Sequence, residues 1–371
     1  MRHKPPLWLR APSRFAGLGK TQARLLLALA LLLVLLSFQA LFLPPLIASE
    51  GASNAAAGDG DLLLYESIVS GLHAGGDYYS VAADLLRAGN YPLRPFVTFR
   101  LPTLAVVQAS LPPFLVASLM IAIAAAAGVV WLNRLRADAL GSAPALLVGA
   151  VMLAGGLIAF VQTGLWAFHE FWAAPLIALS LGLRRPGRWE SAAAIGLMAV
   201  LIRETALVYL VVMAVFAWTE GERREALGWG AAIGLFGVAL TFHAIAVAGI
   251  TTPFDPASGG WSGLHGFGLF VRSITLATAL LAVPLWIAAP LVALALFGWL
   301  GWRDPLGLRV AATLAGYAVV IATFGRLDTF YWGVMAAPLL LVGLVFVPDS
   351  LRDLGVAALD RRRVRVQRIV R

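Results

Sequence analysis

Residues 24–46 read RLLLALALLLVLLSFQALFLPPL, an apolar run with a single charge at its start. A helix of that length crosses the roughly 30 Å of a hydrocarbon core. Lipid cannot satisfy free backbone N–H and C=O groups, so such a segment must be helical. Comparable stretches recur at 112–133, 143–161, 166–183, 190–218, 226–249, 273–300, 309–324 and 330–347. With 60% hydrophobic and 13% charged residues, the chain has too little polar surface to clothe a soluble globule of 371 residues. The expected fold class is all-α, a polytopic transmembrane bundle of about ten spans, within nine to eleven.

A net charge of +9 would suit nucleic acid, but 26 of the 28 basic residues are Arg in short connections and tails between apolar runs. That distribution orients a membrane protein and excludes nucleic acid as a partner. The absence of Cys removes disulfides, zinc–thiolate sites and thiol nucleophiles. Small residues, Ala48 and Ser49, follow the first run as in a cleavable signal, but the run exceeds the about 7 to 15 residues of a signal-peptide core and reads as an uncleaved anchor.

The stretch 190–218 breaks the simple pattern, because Arg203 and Glu204 sit at its middle and basic loops flank both ends. One straight crossing would put both charges at the bilayer centre, at about 2.5 to 3.5 kcal/mol each. Two short helices, 190–201 and 205–218, meeting at an outward turn, avoid that cost and bring the count to ten. With both termini cytoplasmic, 22 basic residues face inside and 6 outside, in keeping with the positive-inside rule. Helices so short must be shielded by neighbours. The chain then divides into a cytoplasmic basic segment 1–23, one transmembrane domain 24–347, and a cytoplasmic basic tail 348–371 on anionic lipid. The expected location is the cytoplasmic (inner) membrane, multi-pass.

This topology sorts the polar residues. Loops 47–103 and 250–272 lie outside, with three tight turns carrying His169-Glu170, Arg203-Glu204 and Arg326-Leu327-Asp328. The cytoplasmic connections are short and Arg-rich, and read as topology signals. In the first outer loop Tyr65, Ile68, Val69 and Leu72 recur at helical spacing, and Tyr78, Val81, Ala82 and Leu85 repeat it after Gly75-Gly76. Two short helices on the membrane surface fit this pattern. Beyond them Pro92, Pro95 and Pro102 keep the chain extended and carry Arg94 and Arg100 along the interface.

Asp61-x-x-x-Tyr65, Gly76-Asp77-Tyr78-Tyr79, Asn90-Tyr91-Pro92 and Arg94-Pro95 together resemble the first outer loop of the C-type (GT-C) membrane glycosyltransferases, in the aminoarabinose-transferase and protein O-mannosyltransferase branch. The resemblance covers residues 1–105 closely and the later topology in style. It departs at Leu62, where the family often has a second acid, and at Leu93-Arg94-Pro95, where it has Lys-Pro-Pro. The resemblance implies an inverting transfer of a sugar from a polyprenyl-phosphate donor to a glycan, lipid or protein acceptor outside the membrane. Asp61 inherits the role of catalytic carboxylate. The His169-Glu170 turn is implied as the source of a second acid or of a metal ligand, with a divalent metal compatible with the family.

The chemistry needs a carboxylate to deprotonate the acceptor and cations to hold the departing phosphate, for which the forked donors of Arg are suited. Each candidate has a plainer role beside it. Asp61 could cap a helix starting at Leu62, and Asp77 one starting at Tyr78. Glu170 could complement a helix dipole. Arg203 leads as phosphate ligand, with Glu204 beside it; Arg326, Arg272, Arg94 and Arg100 follow, against simple snorkelling to the head groups. His169 adjoins the position of the second acid, and His265, with Trp261 and Phe267, could touch a sugar or belong to a connector. The competing function is a transporter or lipid-linked-sugar flippase, which would carry its charges at the midplane. An envelope scaffold is the third class.

Overall fold

A computed structural model describes residues 6–44, 46, 57–260 and 263–359. The expectations for Ala48, Ser49, Trp261 and the basic run 361–371 lie outside the described residues. Among the described residues there is no strand, and six helical segments are long and apolar enough to cross a membrane: Lys20–Phe42, Pro113–Ala139, Ala143–Val161, Arg223–Ile250, Pro305–Phe324 and Leu327–Leu359.

Helix α1 (Lys20–Ser37) tightens into a 3-10 turn, Phe38–Phe42. The next described residues form α2 (Ala57–His73), α3 (Tyr78–Ala88) and α4 (Thr103–Ser110), so the helical periodicity on either side of Gly75-Gly76 is realised. Helix α5 (Pro113–Arg134) begins with proline at its first position, where the missing N–H costs nothing. It is followed by α6 (Ala143–Leu157) and α7 (His169–Leu183). Next come α8 (Glu190–Ile202) and α9 (Leu207–Thr219), separated by an extended Arg203 (φ −138°, ψ 114°) and a short 3-10 turn. The break expected at Arg203-Glu204 is therefore present.

The chain continues through α10 (Arg223–Ile250), α11 (Phe267–Ala277), α12 (Leu285–Gly298) and α13 (Pro305–Phe324). The expectation of one continuous span over 273–300 is corrected by a break. Thr278 is extended, and Pro284, which has no N–H and pushes the preceding residue out of helical geometry, separates α11 from α12. The segment Leu327–Leu359 alternates 3-10 and α turns and contains α14 (Ala337–Leu340) and α15 (Val347–Leu359).

Burial separates an interior from a periphery. Of the most apolar stretches, 17% of α1 and of α10 is buried, against 83% of the segment Leu327–Leu359, which forms the centre with α7. Small residues permit the closest approach: a Cβ at Gly298 would lie 2.0 Å from the carbonyl oxygen of Gly343.

At one end of the bundle, residues 6–16 lie across the helix ends. The Asp349 carboxylate accepts from the N–H groups of Leu7, Trp8 and Leu9 at 2.7, 2.8 and 3.0 Å. Asp353, one turn on, accepts from the N–H and hydroxyl of Ser13. Within the expected tail 348–371, residues 348–359 belong to a packed helix on whose face these two acids collect backbone donors. The Arg-rich connections at this end do more than signal topology. Buried Arg184 donates to both oxygens of buried Glu225 at 3.0 and 2.7 Å, and Arg309, fully buried, does the same to Glu220 at 2.8 and 2.6 Å.

Candidate active site

The opposite end brings together helices α2 and α3 with the segment 89–102, the start of α7, the α8–α9 break, and the turn before Tyr331. A cavity of about 160 Å³ opens there, lined by Asp61, Tyr91, Arg100, Ser258, Arg326 and Tyr331 among others. Asp61 does not cap a helix at Leu62. Helix α2 starts at Ala57, so Asp61 lies a turn inside it, where backbone N–H groups are already bonded within the helix. Its oxygens are left for other donors.

Two phenols take them. The Tyr331 hydroxyl donates to Asp61 Oδ2 at 3.1 Å, and the Tyr91 hydroxyl also bonds to this carboxylate. Gly60 makes room, since a Cβ there would sit 3.0 Å from the Tyr91 oxygen. Burial raises the Asp61 carboxyl above the ordinary carboxylate range, while the Tyr331 hydrogen bond, the Arg100 charge and the Tyr91 hydrogen bond pull it back. The result is a more basic carboxylate that can still ionise, as a general base requires.

Arg100 is the cation of this cavity. Its Nε donates to the Tyr65 hydroxyl at 3.1 Å, and among the described residues its side chain makes no other hydrogen bond and no ion pair. Arg326 stands at the rim, 43% exposed, with Nε donating to Asp328 Oδ1 at 3.1 Å and Nη2 pairing with the same carboxylate.

Other candidates are placed elsewhere. Arg203, the leading phosphate ligand by sequence, is 2% exposed and not free: its Nε lies 2.6 Å from Glu170 Oε1 and its Nη1 donates to Glu204 Oε2 at 3.0 Å. Two carboxylates from different chain regions claim the guanidinium. Glu170 is likewise buried as that partner, so the expected second acid is an ion-pair member. His169 is buried beside the Tyr65 ring, with centroids 5.1 Å apart, and among the described residues neither ring nitrogen has a hydrogen-bond partner.

Asp77 is a helix cap, exposed, accepting from Ser80 N–H at 3.0 Å, and that bond lowers its pKa. It does not line the cavity, because the capping geometry turns it to the start of α3. Arg94 donates to the Asp255 carbonyl at 2.9 Å and helps pin loop 251–258, whose Ser258 reaches the cavity. Asp255 in turn binds Arg87 through both oxygens at 2.9 and 3.0 Å. Arg272 ties the end of α1 through the Ala40 carbonyl at 2.7 Å. His265 is on a connector and is not among the cavity-lining residues.

Sequence reasoning misses Tyr331 altogether and sees Tyr91 only within its Asn-Tyr-Pro motif. A hydroxyl at the outer edge of an apolar run, just after Arg326-Leu327-Asp328, is the one signal that could have found Tyr331. Among the described residues no group of three or more His, Asp or Glu stands together as a metal's ligand set would. Asp61 is surrounded by phenols and an arginine, which do not make a metal-binding donor set for it. In comparisons with known proteins the chain matches no protein-family model, no curated protein and no solved structure.

Proposed function

We propose that the chain is a membrane glycosyltransferase that moves a sugar from a polyprenyl-phosphate donor to an envelope acceptor, a glycan, lipid or protein, at the non-cytoplasmic face of the cytoplasmic membrane. The observation that carries the reading is Asp61, a half-buried carboxylate held by two phenols in one cavity with a forked cation that has no carboxylate partner among the described residues. In the proposed reaction Asp61 takes the proton of an acceptor hydroxyl. The oxygen attacks the anomeric carbon from the face opposite the phosphate, the carbon–phosphate-oxygen bond breaks, and the configuration inverts. Arg100 offsets charge on the departing phosphate, with Arg326 available at the rim by exchanging Asp328 for an incoming anion.

A second, apolar cavity of about 180 Å³ lies on the other side of Tyr331, lined by Leu62, Phe168, Phe171, Phe330 and Val334. It offers hydrocarbon a place beside a polar reaction centre, which suits an amphiphilic donor. The proposed topology has ten passes and GT-C-like architecture: the six long helices plus α7, α8, α9 and the split pair α11–α12. Both termini are then cytoplasmic, and the cavity faces outward. The test is purified protein with radiolabelled polyprenyl-phosphate sugars. Asp61→Asn is expected to abolish loss of label from lipid while leaving membrane insertion and abundance intact; retained transfer would remove the reading.

A further inference from the structure

The residue that looked most like a phosphate ligand is deeply enclosed, and its surroundings suggest another task. Arg203 sits at the α8–α9 break with Glu170 on one side and Glu204 on the other, and its guanidinium lies 5.6 Å over the Trp332 ring. The short Nε–Glu170 contact is ionic rather than a well-aligned hydrogen bond. One guanidinium here serves two carboxyl side chains, buried Glu170 and partly exposed Glu204, an arrangement that a further cation stabilises. Arg100 is that cation, within electrostatic reach of both Glu170 and Glu204.

The triad also touches the backbone that carries Arg100. Glu204 uses Oε2 for Arg203 and Oε1 for the N–H of Leu101, the residue after Arg100, at 3.2 Å. From the other flank, the Tyr78 hydroxyl donates to the Arg100 carbonyl at 2.6 Å. Tyr65 then accepts from Arg100 Nε. The backbone at 100–101 is held on both flanks and the side chain at its Nε, leaving the terminal nitrogens for a ligand in the Asp61 cavity.

We propose that Arg203 and Glu204 are positioning residues. With Glu170 they form a buried anchor that sets the place and charge balance of Arg100, and Arg100 is the group that meets the anionic part of the substrate. The inference rests on the reading that this cavity takes a phosphate-bearing lipid. It assigns the α8–α9 break a purpose: at the break Glu204 reaches the 100–101 backbone while Arg203 stays with Glu170.

The test is a double-mutant cycle on the full chain in detergent, reading equilibrium binding of farnesyl phosphate by tryptophan fluorescence, with farnesol as the uncharged control. Glu204→Gln nearly preserves shape but offers one acceptor where two are used, so it cannot serve both Leu101 N–H and Arg203. It is expected to weaken farnesyl phosphate binding about tenfold, within the range of coupled neighbours in one network. Arg100→Ala should weaken it at least as much, and Glu204→Gln added to Arg100→Ala should change it no further. Arg203→Lys, which keeps the charge, serves as a milder companion and should show the same dependence on Arg100. Thermal unfolding of each variant identifies any that fails to fold. Further loss from Glu204→Gln or Arg203→Lys in the Arg100→Ala background would overturn the positioning role while leaving the phosphate reading intact. A wild-type protein that binds farnesol as tightly as farnesyl phosphate would overturn the phosphate reading, and this inference with it.

Discussion

Tyr331→Phe removes one oxygen from a side chain that is 7% exposed, and with it the donor 3.1 Å from Asp61 Oδ2. A hydrogen bond to an ionised group contributes about 1.5 to 3 kcal/mol, and the lower end applies beside an open cavity where water can partly substitute. That bond favours the charged carboxylate, so losing it moves the Asp61 pKa further up, in the direction burial already drives it. A general base must be ionised, so transfer is lost as pH falls through this pKa, and in the variant the loss begins at higher pH. At a pH on the acid limb, about 1.4 kcal/mol corresponds to a roughly tenfold drop in the ionised fraction and in kcat/KM. On the alkaline plateau the two proteins should differ far less. The assay is release of labelled sugar from its lipid carrier across a pH series, with Phe168 and the rest of the aromatic wall unchanged. An equal loss at every pH, or none, would refute the claim that Tyr331 acts by stabilising the carboxylate.

Three further outcomes are expected. Because the folded Asp61 pKa is raised, the wild type loses stability as pH rises from the ordinary carboxylate range through the raised value; Asp61→Asn should lack that decline in a thermal-unfolding series and be at least as stable at neutral pH. Arg184→Met leaves Glu225, 1% exposed, without its bidentate partner, and should cost about 3 to 5 kcal/mol in a reversible-unfolding assay, most of it recovered on adding Glu225→Leu. Asp349→Ala strands three backbone donors at about 1 to 3 kcal/mol for each that stays buried, and should appear as faster hydrogen exchange and proteolysis at residues 7–13.

How much of the molecule is legible in its sequence follows the range of the forces involved. Apolar length and helical spacing are local, so most spans, α2, α3 and the break at Arg203 can be read from the residues alone. Asp77 is equally legible as a cap, since a cap needs only the next three residues. Asp61 stands out as a candidate, but the helix begins a turn earlier than its capping potential suggests. Arg203 is misassigned by sequence because Glu204 is visible beside it but Glu170, 33 positions back, is not, and Glu170 supplies the contact at 2.6 Å. Arg100 ranks below Arg203 for the converse reason: that it makes no ion pair among the described residues is a property of the folded cavity. Tyr331, 270 positions from Asp61, has no local signature beyond a hydroxyl at the edge of an apolar run. The split between α11 and α12 escapes notice because average hydropathy passes smoothly over Pro284.

The clasp of Asp349 on Leu7, Trp8 and Leu9 has a consequence for how the molecule is made. These donors are synthesised 340 to 342 residues before their acceptor, a wait of about half a minute at ordinary translation rates. Throughout that interval the N–H groups of Leu7, Trp8 and Leu9 lack the carboxylate, although the segment can already lie against residues 136–141, where Arg10 N–H meets the Ala139 carbonyl at 2.9 Å. The bond to Asp349 therefore closes late, fastening residues 7–9 to the helix Val347–Leu359 only once that helix has been made.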